Sequence, residues 1–132
     1  MDAEREIIER LSRRGLRVTR ARRAIARVLM RADRALTPAQ ICELARQHAP
    51  GTGLVTTYRT LELLNQLGLA RRIHSEDGCH GYVRAARGHR HGLICQECGR
   101  VIEFEGCDLS DLLARVESET GFTVQEHMLE LA

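Results

Sequence analysis

At 132 residues the chain is long enough for one domain, or for two small ones that share stability with a partner. It has no apolar run near the roughly 18 residues of a membrane span, and its charged N-terminus does not resemble a signal peptide, so a soluble cytoplasmic protein is predicted, with no membrane partner. All 20 basic residues are arginine, and the net charge of +2 hides an asymmetry. Residues 1–87 hold 17 arginines against 9 acids, a net of +8, whereas residues 88–132 hold 3 against 9, a net of −6. One end is thus suited to a polyanion and the other is not. Five cysteines, an odd number in a chain read as unsecreted, argue against a disulfide framework and for metal or redox use.

The first part punctuates into short helices. Asp2 to Arg14 carries Ile7, Ile8 and Leu11 on one stripe and stops at Gly15. Thr19 can cap a second helix to about Ala32, with Ala24, Ile25, Val28 and Leu29 at helical spacing. Thr37-Pro38-Ala39-Gln40 is a capping box with proline at the first helical position, opening a third helix towards His48. Gly53 to Leu67 makes a fourth, with Leu61, Leu64 and Leu67 inward. Two short strands, 69–73 and 81–84, then flank Asp77-Gly78, a hairpin signature. Helices followed by a hairpin describe a winged helix-turn-helix, in which the helix before the hairpin enters the major groove of double-stranded DNA. On that helix Thr56, Thr57, Arg59 and Thr60 are assigned to the outer face. Their hydroxyls can donate to phosphates, and Arg59 can reach a phosphate or a guanine edge. Tyr58 can pack on a thymine methyl, while Arg17, Arg20, Arg22 and Arg23 form a basic shoulder.

Past a hinge near Gly88 the period changes. His89 to Ile94 and Arg100 to Glu105 are predicted strands on either side of Cys95-Gln96-Glu97-Cys98-Gly99. That knuckle presents two thiolates to one tetrahedral zinc, with the glycine turning the backbone behind them. His89 and His91 share a strand face, because side chains alternate with period two. Asp108 is expected to cap a helix bearing Leu109, Leu112, Leu113 and Val116, closed by Gly121. Phe122 to Leu131 is a last alternating strand with His127, Leu129 and Leu131 on one face. The expected fold class is α+β: a winged-helix domain over residues 1–86 and a small α/β domain over 87–132, a three-stranded sheet plus one helix. So small a sheet calls for a partner chain on an exposed apolar face.

Gly15-Leu16-Arg17-Val18-Thr19, Thr57-Tyr58-Arg59-Thr60-Leu61, the histidine-rich strand entering the Cys95–Cys98 knuckle, and Val101-Ile102-Glu103-Phe104 together resemble the ferric uptake regulator family, in the family's order over nearly the whole chain. The resemblance implies a homodimeric, metal-dependent bacterial repressor in which Arg17, Tyr58 and Arg59 contact DNA. It also implies a structural zinc at Cys95 and Cys98. In the family a second Cys-x-x-Cys beyond the last strand completes that site; here the chain stops at Ala132, leaving residues further on, Cys107, or no completion at all. His89, His91 and His127 match the family's sensory ligands. The usual carboxylate position falls on Ser110, so Asp108 or Asp111 would have to serve.

A second family site near the wing is represented by Glu103 alone, but Cys79 and His80 stand just past the wing turn and could complete it. A thiolate ligand there would favour zinc over iron(II) or manganese(II). The leading expectation is therefore a zinc-sensing repressor of the family's zinc-uptake branch, with iron as the alternative metal. The rivals are a peroxide-sensing relative and a zinc or thiol-redox protein without a DNA partner, the latter disfavoured by the basic first part. No enzyme constellation is present in the sequence: there is no nucleophile elbow, phosphate loop or His-Glu-x-x-His.

Overall fold

A computed structural model describes residues 3–74, 80–85, 91–127 and 129–132. Its first part contains α1 (Ala3–Arg13), α2 (Arg20–Arg31), α3 (Pro38–Ala45) and α4 (Leu54–Gln66). The starts follow local chemistry. Thr19 Oγ1 accepts the Arg22 N–H at 3.1 Å, satisfying an orphan donor of α2. Thr37 and Gln40 form the reciprocal capping box, Gln40 N donating to Thr37 Oγ1 at 3.2 Å and Thr37 N to Gln40 Oε1 at 2.9 Å. α3 stops at Ala45, short of the expected His48, and gives way to a turn.

The four helices share one apolar core. Ile7, Leu11, Ile25, Leu29, Ile41, Leu61 and Leu64 are fully buried within it. Burial of each such side chain contributes about 1.5–3 kcal/mol before entropy costs. Cys42 is buried beside them, its thiol 3.6 Å from the Thr52 carbonyl, and serves as core.

The wing is an antiparallel pair of β1 (Ala70–His74) and β2 (His80–Arg84), in register from Ala70 opposite Arg84 to His74 opposite His80. The Asp77-Gly78 turn lies outside the described residues. The link between α2 and α3 adds a rung to β2: Leu36 N donates to Tyr82 O at 3.1 Å and Tyr82 N to Leu36 O at 2.8 Å. The wing is thereby fixed to the helical body.

In the second part, β3 (His91–Ile94) and β4 (Val101–Phe104) are antiparallel, with His91 opposite Phe104. α5 (Ser110–Thr120) follows. The last strand, expected over 122–131, pairs only as β5 (Glu130–Leu131), parallel to β3 at Gly92 and Leu93. The expected three-stranded sheet is present in the order β4-β3-β5, its third strand paired over only two residues.

Asp108 is not the helix cap. Leu109 holds that position, and the Asp108 carboxylate instead accepts from the N–H and hydroxyl of Ser110. Those two bonds, the hydroxyl first, hold its carboxyl below the usual range.

The two parts are joined backbone to backbone. Val101 N donates to Asp33 O at 2.7 Å and Ala35 N to Gly99 O at 2.6 Å, so the α2–α3 link carries the wing on one side and the knuckle on the other. Arg84 of β2 adds an ion pair to Glu103 of β4 at 3.4 Å.

Candidate metal centre and nucleic-acid interface

The knuckle is built as its sequence requires. Cys95 N donates to Arg100 O at 2.9 Å and Gly99 N to Cys95 O at 2.8 Å, closing a turn in which Gly99 takes φ 74°, a left-handed value that glycine adopts without strain. Both thiols are exposed. The backbone N–H groups of Cys98 and then Glu97, with a contribution from the Cys98 side chain, lower the Cys95 thiol pKa and favour its thiolate. Two thiolates are half of a tetrahedral zinc set. Among the described residues neither belongs to a group of three donors.

The second cluster is more complete. His91, Cys107 and His127 each offer a donor atom, and these atoms all lie within 4.8 Å of one another. His91 opens β3 with only 5% of its surface exposed, against Phe104 at 5.8 Å between ring centroids. The His127 ring stacks on His91 at 5.3 Å and 28°. Cys107 Sγ lies 3.4 Å from His127 Nε2. For zinc bonded at about 2.1 Å to nitrogen and about 2.3 Å to sulfur, tetrahedral angles put those two atoms about 3.6 Å apart. The Cys107–His127 edge is already near that length, and the remaining edges, none longer than 4.8 Å, need a contraction of about 1.4 Å at most. The donor set fits a divalent ion with a fourth position left for another ligand.

The sequence reading had placed Cys107 only as a possible completion of the Cys95–Cys98 site. Here it joins the histidines, because Gly106 takes φ 87° and turns the chain back after β4. Its signal was the Gly-Cys pair directly after a strand, which donor spacing alone does not register. Asp108 is not among the clustered donors, its carboxylate being held by Ser110, and Asp111 is an exposed residue of α5. Of the wing-side set, Glu103 faces Arg84, whose cation already compensates its charge. Cys79, His89 and the side chain of His80 lie outside the described residues.

The α4 surface differs from the expected one. Thr56, Tyr58 and Arg59 are exposed, but Thr57 and Thr60 are buried at 0% and 1% exposure. They lie on the same stripe as Leu61 and Leu64 and turn their hydroxyls back to carbonyls one turn earlier, Thr57 to Gly53 at 2.9 Å and Thr60 to Thr56 at 2.7 Å. The first turn instead exposes Leu54 and Val55, apolar groups suited to thymine methyls that the sequence reading missed. Arg17, Arg20 and Arg23 are exposed, whereas Arg22 is half-buried and its Nη1 donates to the Arg17 carbonyl at 2.6 Å. Tyr58 borders a groove shared with Glu62, Arg72 and Tyr82, at the seam of α4 and the wing. Burial and then the Glu62 carboxylate raise the Tyr82 phenol pKa, keeping it protonated.

Comparison with known proteins places these features in one family. The ferric uptake regulator family profile matches residues 13–132. The ferric uptake regulation protein of Bacillus subtilis is 36% identical over 118 residues, covering 86% of this chain and 78% of its own length. The zinc uptake regulation protein of Mycobacterium tuberculosis is 31% identical over 121 residues, covering 92% and 93%. The solved ferric uptake regulator of Vibrio cholerae, whose DNA-binding domains undergo structural rearrangement, superposes with a TM-score of 0.69 at 26% identity, over 93% of this chain and 95% of that one. The order of helical head, wing and small sheet thus follows a known fold, and the chain belongs to the ferric uptake regulator family.

Proposed function

We propose that the chain is a zinc-responsive transcriptional repressor that binds double-stranded DNA as a homodimer, with iron(II) or manganese(II) as the alternative ion at its regulatory site. The observation that carries this reading is the His91–Cys107–His127 cluster, built on a hairpin that is itself hydrogen-bonded to the winged-helix head. The three clustered donors belong to the second part. From them the ion's effect travels through β3 and β4 to the knuckle, across the Asp33–Ala35 link, and into Tyr82 of the wing. An ion that binds one arrangement of this path better than another shifts the population of heads set for DNA. Two heads fixed about 34 Å apart would reach successive major grooves. Exposed Arg17, Arg20, Thr56, Tyr58 and Arg59 supply the contact face. Among the described residues no helix is long and apolar enough to cross a membrane.

The test uses a duplex selected from a random library by the zinc-loaded protein, and measures binding by fluorescence anisotropy with and without zinc. Zinc should tighten binding by about 5–150-fold, the range of ordinary allosteric coupling. His127→Ala should abolish that increment while leaving the weak zinc-free binding in place. Equal zinc enhancement in His127→Ala and the parent chain would remove the cluster from the switch.

A further inference from the structure

Cys107 changes the chemistry of the cluster it completes. Two imidazoles alone would suit zinc, iron(II), copper or nickel, and a carboxylate as third donor would leave the site open to iron(II) and manganese(II). The nearby carboxylates are engaged elsewhere: Asp108 with Ser110 and Glu103 with Arg84. Among the described residues the third donor grouped with both rings is sulfur, 3.4 Å from His127 Nε2, on a turn that Gly106 directs towards β3. The position is half-buried, beside the buried ring of His91, so solvent screens the site only in part.

We propose that Cys107 ligates the regulatory ion as a thiolate, and that this one sulfur commits the site to zinc over manganese(II) and iron(II). The proposal rests on the reading of His91 and His127 as metal ligands. Sulfur is a softer donor than oxygen, and it binds zinc at about 2.3 Å with no demand for octahedral geometry. Any nitrogen–oxygen site already favours zinc over manganese(II) through the ordinary order of divalent affinities, so the thiolate shows itself as a widening of that ratio. With three protein donors, the fourth position remains for water or a further ligand, as in sites that exchange their ion.

The full-length chain, Cys107→Ser, Cys107→Asp and His127→Ala would be titrated with zinc against a chromophoric chelator, and with manganese(II) by the resonance signal of the free ion. Cys95 and Cys98 are present in every variant, so differences report the second cluster. Cys107→Ser should weaken zinc at this site on the order of 10–100-fold or more, since even the loss of a residue that merely supports a ligand costs that much. Manganese(II) affinity should move by no more than about 3-fold, oxygen donors suiting that ion. Cys107→Asp should narrow the zinc-to-manganese ratio at least about ten-fold by restoring an oxygen donor. If His127→Ala loses zinc and Cys107→Ser does not, the histidine centre stands and the thiolate assignment falls. If neither loses zinc, the centre itself falls. Equal losses of both ions in Cys107→Ser would overturn the selectivity role.

Discussion

The two parts of the chain hold themselves together by different means. Every member of the main apolar core lies between Ile7 and Tyr82, in the helical head and its wing. Among the described residues of the second part only His91 and Ile94 are buried, and α5 buries none. Leu93, Ile102, Leu112, Val116, Phe122 and Leu131 all remain exposed there. The head is thus held by its own core, while the second part offers the donors and the apolar face that the proposed ion and a second copy would cover. The largest effect expected from this contrast belongs to the head. Leu61→Ala, at a position with 0% exposure, should cost about 2–5 kcal/mol in urea unfolding, and saturating zinc should not compensate it. Full rescue by zinc would mean that head and metal centre unfold as one unit.

The complementary change belongs to α5. Leu112 and Val116 are a helical turn apart and exposed by 43% and 37% in the single chain. In the proposed homodimer a second copy would cover this stripe symmetrically. Val116→Asp should leave the head's unfolding unchanged and weaken dimerisation by about 1.5–3 kcal/mol, the worth of one buried aliphatic side chain. Sedimentation across a concentration series would show this as a shift towards monomer. A dimer of undiminished strength would place the interface on another face.

The same contrast governs what could be read from the sequence. The head was legible because its rules are local: Thr19 and the Thr37–Gln40 box mark helix starts, and Ile25, Leu29, Leu61 and Leu64 recur at helical period. Its outer-face reading of α4 failed at Thr57 and Thr60. Threonine reads as polar, yet its hydroxyl can be satisfied by a carbonyl of the preceding turn while the methyl packs inward, so the outer face of α4 was drawn too wide. In the second part the pairing of His91 with His127 was legible through the family resemblance, but the membership of Cys107 was not. The Cys-x-x-Cys turn is set by four consecutive residues, whereas the union of His91, Cys107 and His127 depends on a β-register, a left-handed glycine and a return of the chain about 20 residues later. Donors that meet through tertiary structure leave no fixed spacing. The β5 overestimate has a similar origin, since alternation in 122–131 does not say how many of those residues pair with a neighbouring strand.

If the head reads DNA and the second part only switches it, the two kinds of lesion should separate cleanly. Arg59 is exposed on α4, on the side away from buried Thr57, Thr60, Leu61 and Leu64, where a guanidinium can reach a phosphate or a guanine edge. Arg59→Ala should weaken binding to the selected duplex by about 1–3 kcal/mol, by the same factor with and without zinc. A phosphate contact would also lower the salt slope by about one unit and act alike on all sequences, whereas a base contact would relax preference at one position. Thr57→Val supplies the control from the inner face of the same helix. It keeps the packing shape while removing a hydroxyl that serves only the Gly53 carbonyl, so DNA affinity should hold even if stability falls. A zinc-dependent loss in Arg59→Ala would mean that the ion reshapes the α4 contact itself, and the division between a reading head and a switching second part would have to be redrawn at that residue.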